Sequence, residues 1–250
     1  MDNKKTLLIT GASSDVGCAL IKNIYGNYGR IWAHYCGSDA AIGKLKEELG
    51  NIIVPIQADF LDIGSTQVLI DEIKRQGVFP DHIVHLSALK AHSLQFHKHT
   101  WEAYQREIDT SLRSAAMLLQ AFIPKMVKQR YGKVVFMLSA YVLGVPPKFQ
   151  SPYITVKYAL LGLMRNLAAE YASKGIVVNA VSPDMMETKF LSELPELVKE
   201  QSARNNPLGR NITVEEVIPT IEYLLSSASD TVTGQNIGIT GGGEIAAQLR

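Results

Sequence analysis

Thr6-Leu7-Leu8-Ile9-Thr10-Gly11-Ala12-Ser13-Ser14-Asp15-Val16-Gly17 is the stretch on which the fold turns. A short apolar run bounded by a turn residue reads as a buried strand, and the sequence from Val16 onward carries a helical pattern. Strand, glycine-bearing turn and helix start, in that order, aim free backbone N–H groups and the positive helix end at one point. A phosphate is the ligand that suits such a point. The candidate phosphate-binding set is therefore Gly11, Ser13, Ser14, Asp15, Val16 and Gly17. Gly11 permits the tight turn, and Gly17 is expected to let the helix approach the sheet. Glycines also end strands for purely structural reasons, but the surrounding strand and helix favour binding.

Outward from this turn, strands are predicted at residues 6–10, 30–35, 52–56, 82–86, 133–139, 176–181 and 236–239. Helical patterns fall between them at residues 16–25, 40–49, 65–75, 101–129, 152–173 and 214–226. Most of the strands lack polar alternation, as parallel strands buried on both faces do. The alternation of strands and helices predicts an α/β fold, a doubly wound parallel sheet of seven strands with helices on both faces. The length of 250 residues, with 46% hydrophobic and 20% charged side chains, fits one domain over residues 1–250. Residues 185–209 stand apart, being rich in Glu, Lys, Asn and Pro, and are expected to form a mobile helical flap over the substrate.

Twenty-five basic and twenty-four acidic residues leave a formal charge of +1, which offers no field to attract nucleic acid or an anionic membrane. Cys18 and Cys36 share no metal-ligand or C-x-x-C spacing. Five histidines (His82, His85, His92, His97 and His99) crowd one region, yet no carboxylate or cysteine cluster accompanies them, so no metal site is expected. The apolar run at the start is too short for a signal peptide and no later stretch approaches a membrane span, which points to the cytoplasm.

Tyr153 and Lys157 are four residues apart in a helical segment, so both project from one face, one turn apart. A free phenol has a pKa of about 10, and each unit by which that value is lowered takes about 1.4 kcal/mol. A neighbouring ammonium is expected to supply that bias and let the tyrosine exchange its proton near neutrality. Ser139 closes a predicted central strand at the sheet edge where ligands sit, within reach of a substrate carbonyl.

Together these features resemble the short-chain dehydrogenases/reductases, whose turn reads T-G-x-x-x-G-x-G, and most closely their 3-oxoacyl-carrier-protein reductase branch. The resemblance covers nearly the whole chain and implies a Rossmann-type fold. It implies an NAD(P)-dependent oxidoreductase moving a hydride between nicotinamide and a ketone or secondary alcohol. Ser139, Tyr153 and Lys157 would be the catalytic residues, with Lys157 also holding the nicotinamide ribose. Ser111 stands where many relatives carry the asparagine of a proton relay, and a serine there can still bind water. Asp59, in Ala58-Asp59-Phe60, matches an adenine-binding position shared with Phe60. Ser87 follows the fourth strand at the cofactor ribose. Pro183 and Thr188 belong to the nicotinamide-side loop. At the end of the second strand, Tyr35-Cys36-Gly37-Ser38 has no acid to repel a 2′-phosphate, which leans toward NADP over NAD. Ser38 is either a donor to that phosphate or a surface-turn residue.

Several positions depart from the family. Asp15 replaces the middle glycine of the turn, where it is expected to cap the helix start. His85-Leu86-Ser87-Ala88 stands where relatives have Asn-Asn-Ala-Gly, and Asp184 replaces a glycine. Two apolar groups are candidate substrate walls: Met185, Met186, Phe190 and Leu191, and Leu143, Val145, Pro146 and Phe149. They would suit a hydrophobic ketone or acyl chain. By resemblance, residues 101–129 and 152–173 build faces of a homo-oligomer, a dimer or tetramer. The alternative is a non-catalytic or weakly active nucleotide-binding protein on the same fold, motivated by the changes at 85–88 and 111.

Overall fold

The computed structural model describes residues 4–90, 92–189 and 196–243. Strands β1 (Lys5–Thr10), β2 (Tyr28–Tyr35), β3 (Ile53–Gln57), β4 (His82–His85), β5 (Gly132–Met137), β6 (Ile176–Pro183) and β7 (Asn236–Ile239) form one sheet. Their order is β3-β2-β1-β4-β5-β6-β7, and every pair is parallel. This is the expected seven-stranded doubly wound α/β architecture.

Each face of the sheet is covered, which is why its strands are apolar throughout. Leu8, Trp32 and Ile56 point to a core shared with α3 (Ile63–Gln76), α5 (Ser114–Gln129) and α6 (Ser151–Tyr171). Leu7, Ile9, Ile31 and Ala33 point the other way, to α1 (Asp15–Ile24), α2 (Ala40–Leu49) and α8 (Val214–Leu225). The chain winds outward from β1 through β2 and β3, then crosses back to β4 on the other side of β1. That reversal opens a crevice above the carboxyl ends of β1 and β4, where Thr10 and His85 are in register.

Two details differ from the sequence reading, and two add to it. The helix expected over residues 101–129 is α4 (Trp101–Glu107) and α5 joined by a π-helical turn at Ile108–Arg113. A π turn adds a residue to the helical circuit and re-aims side chains, here leaving Thr110 and Ser111 buried. Strand β5 stops at Met137, so Ser139 begins a short 3-10 turn (Ala140–Val142). His82 and His85 are core residues of β4, and each is hydrogen-bonded at both ring nitrogens. The flap region contains a helix, α7 (Glu196–Asn205), and Met186 forms a parallel bridge with Ile212. Among the described residues no helix is long and apolar enough to cross a membrane.

Candidate active site

The phosphate turn is held from beneath by a residue the sequence did not single out. Gly11 takes φ +66°, and its N–H donates to His34 Nδ1 at 3.0 Å. His34 Nε2 lies 3.0 Å from the Ala58 carbonyl, which only accepts, so Nε2 carries the proton and Nδ1 is free to accept. The ring stacks on Phe60 at 4.1 Å between centroids. Burial depresses its pKa from the ordinary 6.5 to about 4, which keeps the imidazole neutral. A Cβ at Gly17 would meet Ala12 O at 2.5 Å, so this glycine serves the close approach of helix and turn backbone rather than of helix and sheet.

The helix cap is Ser14, whose Oγ accepts from Gly17 N at 3.1 Å, and not Asp15. Asp15 is the first residue of α1, and its carboxylate accepts from Lys189 N at 2.7 Å. The Lys189 ammonium lies 3.7 Å from the same carboxylate, so Asp15 ties the chain after β6 down onto the turn.

Across the crevice, Tyr153 and Lys157 rise from the first turns of α6. Lys157 is buried, donates to Met137 O at 2.9 Å, and stands 5.3 Å from the centroid of the Tyr153 ring. Burial lowers its pKa to about 8, and the Glu107 carboxylate pulls the other way. Tyr153 is pushed above the ordinary phenol range, first by burial and next by Tyr141, while a hydrogen bond with Ser139 acts in the opposite direction. The expected lowering by Lys157 is therefore not what governs this phenol, and Tyr153 is held as the neutral acid. Ser139 Oγ also accepts from Tyr141 N at 3.3 Å, which orients it toward the cleft.

These groups face one cleft of about 760 Å³. Ser13, Ser14, Asp15 and Val16 line it together with Ser139, Tyr153 and Lys157 and with Pro183 and Thr188. Met185, Met186 and His92 also line it, as do Tyr141 and Gln150, which the sequence did not mark. Leu143, Val145, Pro146 and Phe149 do not line it; Val145 is 88% exposed and Phe149 52%. Phe190 and Leu191 lie outside the described residues. Asp184 borders the cleft with its carboxylate committed to Met185 N at 2.8 Å and Asn206 Nδ2 at 3.2 Å, binding the start of the flap to its far end.

The remaining expected cofactor residues lie apart from this cleft. Ser38, exposed after β2, accepts from Ala40 N at 3.2 Å. Asp59 closes a turn by accepting from Leu61 N at 2.9 Å. The Phe60 ring is buried against His34, so any nucleotide contact falls to its backbone. Ser87 Oγ is buried without a hydrogen-bond partner. Ser111 is fully buried, its Oγ donating to Ser87 O at 3.3 Å and its carbonyl accepting from His85 Nε2 at 2.9 Å. His85 Nδ1 in turn accepts from the Thr10 hydroxyl at 2.9 Å, so Thr10, His85 and Ser111 form one buried hydrogen-bond chain. Among the described residues no group of His, Cys, Asp and Glu is placed to hold a metal.

Could the site hold a nicotinamide dinucleotide? The glycine-tight turn, whose backbone tolerates no Cβ at Gly17, and the start of α1 form an anion cradle beside the Ser139–Tyr153–Lys157 group, so the residues fit. Comparison with known proteins agrees. The family described as Enoyl-(Acyl carrier protein) reductase matches residues 11–244. A 3-oxoacyl-[acyl-carrier-protein] reductase from Staphylococcus aureus is 29% identical over 245 residues, 97% of this chain and 99% of that protein. One from Thermotoga maritima is 30% identical over 243 residues, 95% and 97% of the two chains. A solved 3-oxoacyl-[acyl-carrier protein] reductase from Brucella melitensis with bound NAD has a TM-score of 0.83 at 27% identity, covering 96% of this chain and 91% of its own.

Proposed function

The chain belongs to the short-chain dehydrogenase/reductase family of NAD(P)-dependent enzymes, and on that premise we propose that it reduces the keto group of a 3-oxoacyl thioester or similar apolar ketone, with NADPH preferred. The observation carrying this reading is that Ser139, Tyr153 and Lys157 line the same cleft as the start of α1. A bound nicotinamide dinucleotide supplies the hydride. Backbone N–H groups of Ser13, Asp15 and Val16 would hold its diphosphate, with Gly11, whose carbonyl accepts from Ser14 N at 3.1 Å, and Gly17 keeping the turn tight. Asp59 and the Phe60 backbone take the adenine side, Ser87 the ribose, Pro183 and Thr188 the nicotinamide side. Tyr35 to Ser38 bring no carboxylate against a 2′-phosphate, and Ser38 is its donor.

Ser139 Oγ orients the substrate carbonyl oxygen, and Tyr153 gives that oxygen its proton. A phenol held neutral by burial suits this direction, since reduction needs the acid form. Lys157, packed against the ring, offsets the negative charge left on the phenolate, and its ammonium also holds the nicotinamide ribose. Ser111 keeps the relay side of the site closed through Ser87 and His85. The enzyme works in the cytoplasm as a homo-oligomer built on α4, α5 and α6, on a small-molecule ketone or alcohol.

Mixing the purified protein with NADPH or NADH and a panel of 3-oxoacyl thioesters, ketones and keto-sugars tests the reading. NADPH oxidation with the thioesters, lost in Tyr153→Phe, is expected; no turnover beyond that variant on any substrate sinks it. Ser111, whose hydroxyl and carbonyl are both engaged, favours a second reading, a nucleotide-binding protein with little turnover. Tight cofactor binding without substrate-dependent oxidation is its mark.

A further inference from the structure

Glu107 ends α4 with only 6% of its surface exposed, and its Oε2 has no hydrogen-bond partner. A buried carboxyl left unpaired is costly, and such a group is kept where a task offsets the cost. It lies in the wall of a second cavity of about 460 Å³ that is bordered by Tyr153. Tyr153, Lys90 and His92 border this cavity and the main cleft alike. The charged and titratable groups around Glu107 are Arg106 and Glu102 on its own helix, His99 ahead of it, Lys90 and His92 after β4, and Tyr153 and Lys157 on α6.

One turn further along the helix stands Ser111, with hydroxyl and carbonyl both engaged inside the protein. Its hydroxyl is thus not free to pass a proton. We propose, resting on the reductase reading above, that Glu107 is the positioning residue of the proton relay, exchanging a proton with Lys157, which lines the main cleft, through water where the second cavity meets that cleft beside Tyr153. The steps balance. Tyr153 loses its O–H proton to the substrate oxygen, Lys157 returns one N–H proton to the phenolate, and the Glu107 carboxylic acid recharges the Lys157 amine. The carboxylate is then reprotonated from bulk solvent by way of the cavity water, so the relay passes one solvent proton to product per turnover, while the two electrons travel with the hydride. Burial raises Glu107 to about 7, with Lys157 acting against it, and lowers Lys157 to about 8. Donor and acceptor are therefore matched near neutrality, with the transfer from Glu107 to Lys157 slightly downhill.

Glu107→Gln keeps the shape and removes the exchangeable proton. With circular dichroism and cofactor binding unchanged, kcat should fall about tenfold and the inflection of kcat near neutral pH should vanish. Glu107→Asp should restore that inflection. Wild-type kcat and pH profile in Glu107→Gln overturn the proposal. A titration of glutamate carboxyl carbons by NMR separates this from failure of the reductase reading, since it needs no turnover. One glutamate titrating near neutrality, absent in Glu107→Gln and displaced in Lys157→Met, is expected even of a protein inactive on every substrate. Only ordinary glutamate titrations, or one indifferent to Lys157→Met, overturn it. Should Glu107→Gln fail to fold, the Lys157→Met titration and the Glu107→Asp profile decide in its place.

Discussion

Acidification should destabilise this protein well before its surface carboxylates titrate, because three histidines are buried in the neutral form. Burial depresses His34 to about 4 and His82 and His85 to about 3 from the ordinary 6.5. The folded state thus refuses protons that the unfolded chain accepts. Stability is fully present above the unfolded pKa and is lost as pH falls from there toward the folded values. At about pH 5 each histidine costs about 2 kcal/mol, or about 6 together. Glu107 acts in the opposite sense: raised to about 7, it binds a proton in the folded state first and returns about 2 kcal/mol over the same range. The net loss between about pH 7.5 and about pH 5 is about 3 to 4 kcal/mol, a large share of the stability of an ordinary domain. Urea denaturation at several pH values, followed by fluorescence and circular dichroism together, measures it. Stability constant to within about 1 kcal/mol across that range would rule out three histidines buried neutral. His85→Gln should flatten the net slope by about half, since about 2 of the roughly 3 to 4 kcal/mol is lost with it, at the cost of lower stability throughout.

Three further outcomes follow from the geometry. Gly17→Ala places a Cβ against Ala12 O at 2.5 Å, so the turn must open, and the cofactor Kd by fluorescence titration should weaken at least about tenfold; an unchanged Kd would remove the turn from the binding site. Asp15→Ala releases Lys189 N and the Lys189 ammonium, and should raise substrate KM about threefold with the fold intact. Equal KM values would mean that this tie does not hold the flap. Lys133 is buried in β5 with its ammonium on Ser226 O at 2.7 Å, Ser229 Oγ at 3.1 Å and Asp230 at 2.6 Å. Lys133→Met should cost about 1 to 3 kcal/mol in thermal or urea denaturation, and a neutral result would contradict the structural role given to this lysine.

What could be read before folding was whatever depends on near neighbours in the chain. The strand, turn and helix of residues 6–24 and the four-residue spacing of Tyr153 and Lys157 are local patterns, and both stand where expected. Glu107 was invisible because an acidic residue in an amphipathic helix reads as a solvated face, and its burial arises only in the folded packing around α4. The π turn that re-aims Ser111 has no composition of its own. His34 is one strand residue among others until Gly11 and Ala58 arrive from distant parts of the chain. For the same reason the apolar residues at 143–149 looked like pocket wall, although Val145 and Phe149 face solvent.

Tyr153, oriented beside Ser139 and Lys157, is assigned here as the group that gives its proton to a carbonyl in the cleft. NADPH oxidation with a 3-oxoacyl thioester by the wild type and by Tyr153→Phe, with cofactor affinity measured on both, tests that assignment at the reacting atom. Turnover that falls by about 10² to 10⁴ in the variant at unchanged affinity is predicted. Equal turnover in the two proteins would contradict it.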